Sequence, residues 1–155
     1  MSRDYGHFEV AITSEYQGTK LLAAIFNNCE SLGWSFKKEQ EGRFTQLGEV
    51  DMNWDKQVVP SDDFTSLIKK KRELGETFGV ILFNLEDEYE QIEIQLSNQK
   101  ISFFMSDGML RFEDNQLLNV SHYTKLIISL LSCGGDYHLS YNVYVDWGIK
   151  MSEQT

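Results

Sequence analysis

Residues 78–106 hold three apolar-rich runs, FGVILFN, EQIEIQL and KISFFMS, separated by connections of only a few residues. A parallel crossover needs about a dozen residues or more, so runs spaced this closely can pair only as antiparallel neighbours. The alternation inside them sets the faces. Ile92, Ile94 and Leu96 fall on one side of their run, with Glu93 and Gln95 on the other. Ile101 and Phe103 alternate with Ser102 and Phe104 in the next. A meander of this kind has one face packed on a core and one turned toward solvent. MLRFED continues the pattern beyond a turn at Asp107-Gly108.

The remaining chain supplies what covers the packed face. FEVAIT places Phe8, Val10 and Ile12 on one side of a strand. In GTKLLAAIFNNCESLG, residues Leu22, Ile25, Phe26, Cys29 and Leu32 follow helical spacing, with Gly33 as the stop. WSFKK is a second strand, and residues 43–59 are extended and irregular, with a bulge at Gly48. A second helix is expected over 61–74: Ser61 follows Pro60 as N-cap, Asp62 and Asp63 occupy the first turn, and KKKR ends it. Phe64, Leu67 and Ile68 anchor it. VSHYTKLIISLLSCGG is a third helix, apolar nearly all round and therefore expected to be the most buried. YHLSYNVYVDW alternates cleanly as a last strand, and KMSEQT is a frayed tail. The segments TKLLAAIFNNCESLGWSF and TKLIISLLSCGGDYHLSY both run helix, cysteine, glycine, strand, an echo short enough to arise by duplication or by chance. The expectation is α+β: a single antiparallel or mixed β-sheet with about three helices packed on one face, in one domain over residues 1–155.

Charge narrows the function. The 155 residues carry a formal net charge of −10 at pH 7. That balance argues against direct nucleic-acid binding, which needs clustered Lys and Arg, and against an anionic membrane surface. MSRDYGHFEV has no signal-type apolar run and no stretch reaches membrane-span length, so a cytoplasmic location is expected. Cys29 and Cys133 then read as buried thiols rather than a disulfide.

No constellation nominates a reaction. His7, His122 and His138 have no Cys, Asp or second His at ligand spacing. Ser121 and His122 are adjacent on a helix and do not face each other. Cys133 stands at a helix C-terminus, where the dipole disfavours a thiolate. Asp51, Asn53, Asp55 and Asp62 approach a calcium-loop spacing, but Lys56 stands where the turn needs glycine, and no helix enters. No glycine-rich phosphate loop opens a helix. Glu90 and Glu93 project to opposite faces of a strand and cannot flank one bond. No enzyme, metal or cofactor is expected.

What remains is Glu86, Asp87, Glu88, Glu90 and Glu93, five acids packed into one turn and strand start with no base among them. Like charge concentrated in this way is either a solvated rim or a feature used on a partner. Together with Phe104 and Tyr144 on the uncovered face, these acids are the candidate partner-binding residues. In size, acidity and lack of catalytic motifs the chain resembles bacterial toxin-immunity proteins as a broad class. That resemblance implies an inhibitor whose carboxylates pair with the Lys and Arg of a basic, nuclease-like effector. The alternatives are a phage-type inhibitor that mimics nucleic acid, and a small enzyme or ligand-binding domain with a pocket between sheet and helices.

Overall fold

The computed structural model describes residues 2–12, 15–37, 41–42, 44, 57–58, 65–87, 89–105, 119–132 and 140–149. Its main sheet has six strands: β1 (Ser2–Ala11), β2 (Trp34–Ser35), β5 (Phe78–Asn84), β6 (Gln91–Leu96), β7 (Lys100–Met105) and β8 (Ser140–Ile149), in the order β2-β5-β6-β7-β1-β8. Every neighbouring pair is antiparallel. A separate two-residue ladder joins β3 (Glu41–Gly42) to β4 (Gln57–Val58). The helices are α1 (Glu15–Asn28), α2 (Thr65–Glu73) and α3 (Val120–Leu130). This is an α+β fold with one principal antiparallel sheet.

All three helices feed one core. Phe8 and Val10 of β1, Phe78, Val80 and Leu82 of β5, Ile92, Ile94 and Leu96 of β6, and Ile101 and Phe103 of β7 are buried in it. Leu21, Leu22 and Ile25 of α1, Ile68 of α2, and Tyr123, Ile127 and Leu130 of α3 pack with them. The period-two alternation of the meander therefore decides which side the helices occupy. α1 connects β1 to β2, which run in the same direction with β7, β6 and β5 between them. Its 14 residues span about 21 Å at 1.5 Å per residue. That suits the roughly 19 Å across four strand spacings. Near its start the helix approaches the sheet closely. A Cβ on Gly18 would stand 2.6 Å from Cδ1 of Ile12 and 3.0 Å from Cδ1 of Leu96. At its far end a short 3-10 turn, Glu30–Leu32, stops at Gly33 in the left-handed region (φ 84°), and Trp34 N–H donates to Cys29 O at 2.9 Å.

Several elements differ from the sequence reading. β1 starts at Ser2 rather than near Phe8, because residues 2–6 are held by backbone pairing to β8 in a stretch with no apolar alternation. α1 runs 15–28, with Gly33 closing the short turn that follows. α2 is described from Thr65; the expected cap at Ser61, and the irregular stretch with Gly48, lie outside the described residues. The cations at its end do not all face water. Lys71 is fully buried and donates to Glu76 Oε1 at 2.9 Å, and Arg72 Nη1 donates to Glu76 O at 3.2 Å. α3 keeps an outer face: Ser121, His122, Lys125, Ile128 and Ser129 are exposed. Its N-cap is Asn119, whose side chain accepts from His122 N–H. The internal echo does not extend to topology: α1 carries the chain across three strands to β2, and α3 carries it across β1 alone to β8. Cys29 is buried, and burial pushes its thiol pKa up. Cys133 lies outside the described residues. No helix among the described residues is long and apolar enough to cross a membrane.

Candidate functional site

The connection from β5 to β6, residues 85–90, is a tied loop. At its base Asn84 N–H donates to Glu90 O at 3.0 Å, and the Asn84 amide donates to Glu90 Oε2 at 2.7 Å. The same Asn84 turns its Oδ1 to Glu86 N–H at 2.8 Å. Asp87 Oδ1 accepts from Tyr89 N–H at 3.0 Å, and Asp87 O accepts from Glu90 N–H at 3.2 Å. Leu85 N–H donates to Gly33 O at 2.9 Å, which fastens the loop to the turn before β2. Asn and Asp side chains bonding backbone two residues on are what shapes such a turn locally.

Glu90 is corrected by this geometry. The sequence places it among the partner-facing acids, and the structure leaves it 7% exposed. Its Oε1 accepts the hydroxyl of Tyr123, a fully buried side chain of α3. Glu90 thus joins the loop base to the core and is a structural carboxylate. Ile92, Ile94 and Leu96 point into the core, and Glu90 shares their parity, so the strand direction itself turns it inward.

With Glu90 inside, the surface of the loop is made by its neighbours. Glu86 and Asp87 are exposed, Leu85 is 59% exposed and Tyr89 is 72% exposed. Glu88 lies outside the described residues. Leu85 and Tyr89 were not among the sequence candidates. The available signal was their type: turns favour Gly, Pro, Asn, Asp and Ser, and a leucine and a tyrosine flanking acids in a turn have no local backbone role.

The other candidates lie in the sheet face opposite the helices. Register places Ile81, Glu93, Phe104, His7 and Tyr144 opposite one another in a row across β5, β6, β7, β1 and β8. Gly79, Gln95, Ser102, Glu9 and Asn142 form the next row. Phe104 is half-buried, with the His7 ring stacked on it at 4.4 Å and 17°. Burial lowers the His7 pKa, partly offset by Glu9. Glu9 Oε1 accepts from Lys100 Nζ at 2.7 Å, and this bond holds its carboxyl below the usual range. The face is less wet than its alternation suggests. Ser102 is buried between the longer Glu9 and Gln95, and Ile81 and Phe83 make a small buried cluster of their own.

Glu93 belongs to this row and not to the loop. Burial raises its pKa, and a hydrogen bond from Gln95 (2.9 Å) partly offsets that. A carboxyl whose folded pKa lies above its unfolded value stabilises the fold below the unfolded pKa and loses that contribution as pH rises through the folded one. Glu93→Gln should therefore melt at a higher temperature than the parent at neutral pH. The difference should vanish as pH is lowered through the carboxylate range. Thermal melts across pH check this, and equal melting temperatures at neutral pH would show that the carboxylate is not disfavoured there.

The structure thus separates the sequence candidates into two groups: Glu86 and Asp87 on the β5–β6 loop, and Glu93, Phe104 and the register position of Tyr144 on the sheet face. No family model matches the chain, and neither a curated protein nor a solved structure shows significant similarity to it.

Proposed function

We propose that this chain is a binding protein that captures a basic protein partner through the β5–β6 loop. Its most concrete form is a cytoplasmic inhibitor of the bacterial immunity type, acting on a nuclease-like effector. The observation that carries the reading is the loop's combination of order and exposure. Its base is tied by side-chain and backbone bonds, while Leu85 and Tyr89 stand 59% and 72% exposed beside Glu86 and Asp87. Large apolar surface costs free energy in water, and a loop ordered beforehand loses little conformational freedom on binding. Tyrosine brings amphipathic contact area at low entropic cost, and carboxylates around it steer a cationic partner. The net charge of −10 extends that attraction beyond the contact.

Capture of the partner from its native cell, followed by rate measurements, tests the proposal. Glu86→Gln, Asp87→Asn and Glu88→Gln together should slow association and flatten its dependence on salt, while the melting temperature stays the same or rises slightly. Asn keeps an oxygen to accept the Tyr89 N–H, so the turn should survive. Tyr89→Ala should act on dissociation instead, speeding it about tenfold or more if the ring is an anchor. Unchanged association rate and salt dependence in the triple variant would reduce the acids to a solvated rim.

A further inference from the structure

We propose that β8 pairs along its outer edge with β8 of a second copy of this chain, joining two sheets into one continuous antiparallel sheet. β8 is ten residues long and ends the strand order. Its inner edge pairs with β1 without a break, from Ala11 opposite Ser140 to Ser2 opposite Ile149. Among the described residues no strand pairs with its outer edge. Half of its backbone groups, about five N–H and five C=O, therefore point outward. Unpaired edges of that length are normally blunted by lysine, proline, a bulge or brevity. β8 shows none of these: SYNVYVDWGI has one charged residue, Asp146, and no Lys, Arg or Pro, and its register is continuous. The other edge of the sheet, β2, is only two residues long.

The strand is complementary to itself. A two-fold axis normal to the sheet keeps each residue on its own face, so residues of like parity must oppose one another. With the axis at Tyr144, each Tyr144 faces the other, Val143 faces Val145, Tyr141 faces Trp147, and Asn142 faces Asp146. Aromatic pairs with aromatic, β-branched with β-branched, and the single carboxylate with an amide. Moving the axis to Asp146 would set two carboxylates against each other. Moving it to Val143 or Val145 would set Asp146 against Ser140 or Tyr144 and break the aromatic pairing. The β5–β6 loop lies at the other side of the sheet order, so two loops stay free in the pair. Each copy carries −10, so salt that screens their repulsion should favour pairing.

Sedimentation equilibrium of the full chain tests this. The expected mass rises with concentration from 18.0 kDa toward twice that value, and the rise is steeper in higher salt. Tyr144→Lys alone and Tyr144→Glu alone should each remain at the single-copy mass, because each sets like charge on the axis. Their equal mixture should restore the doubled mass. Tyr144→Cys should form an interchain disulfide under mild oxidation beyond the background of the unaltered chain, a readout that holds even if a charged variant fails to fold. A single-copy mass for the unaltered chain at every concentration overturns the proposal. So does a doubled mass that persists in folded Tyr144→Lys, or a Tyr144→Cys variant that does not cross-link.

Discussion

Leu130→Ala should cost roughly 2–5 kcal/mol of unfolding free energy. That is a large part of the 5–15 kcal/mol typical of a domain. Leu130 is fully buried in the last turn of α3, on the same stripe as Tyr123, Leu126 and Ile127. Its backbone is also fixed, since Asn28 of α1 donates to Leu130 O at 3.0 Å and to Ser132 O at 2.8 Å. These bonds tie the end of α3 to α1 and oppose a shift that would close the space left by the missing methyl groups, which argues for the upper part of that range. The control lies two residues back. Ile128 is 49% exposed, and Ile128→Ala should change stability by no more than about 0.5 kcal/mol. Urea unfolding with unchanged slope reads both. A loss below about half a kcal/mol for Leu130→Ala would mean that the stripe does not pack as described.

That contrast between Leu130 and Ile128 also marks how far the sequence was legible. The meander and the side taken by the helices followed from Ile92, Ile94, Leu96, Ile101 and Phe103, because alternation on a short-connected sheet permits one packed face. α3 was recognised as a helix, but its run of apolar residues concealed the exposed Ile128: composition reports how apolar a helix is, and only packing reports which stripe is covered. The first half of β1 was invisible for the converse reason. SRDYGH has no apolar pattern, and its place in the sheet comes from backbone pairing with β8, a partner some 140 residues away in sequence. The buried Lys71 and Arg72 were likewise beyond pattern reading, since a basic last turn suits a helix end whether or not its side chains fold back to Glu76. At the site, the acids of the loop could be named from sequence, while the exposure of Leu85 and Tyr89 depends on the loop geometry and could not.

Glu90→Ala should be the most damaging of the acid substitutions, costing roughly 2–5 kcal/mol where Glu86→Gln costs about nothing. Two donors depend on the Glu90 carboxylate. The Tyr123 hydroxyl is buried within the core, and the Asn84 amide sits at the loop base. Truncation leaves both without that acceptor and opens a cavity beneath the hairpin, and losing a charged acceptor is costly for a buried tyrosine hydroxyl. The parity that makes Glu90 structural was present in the sequence, because Glu90 and Ile92 differ by two. The acids are not one class, because the strand divides them by face. Tyr123→Phe separates the parts of this effect. It removes one donor, adds no cavity of consequence and should cost less, about 1–3 kcal/mol. If Glu90 orders the loop as well as the core, amide exchange at residues 85–89 should quicken in Tyr123→Phe by more than global stability requires. Chemical denaturation together with residue-resolved hydrogen exchange reads both. Glu90→Ala as stable as Glu86→Gln would place the carboxylate in solvent and return it to the partner-facing set. A full stability loss with unchanged local exchange in Tyr123→Phe would leave the loop ordered by Asn84 and Asp87 without help from the core.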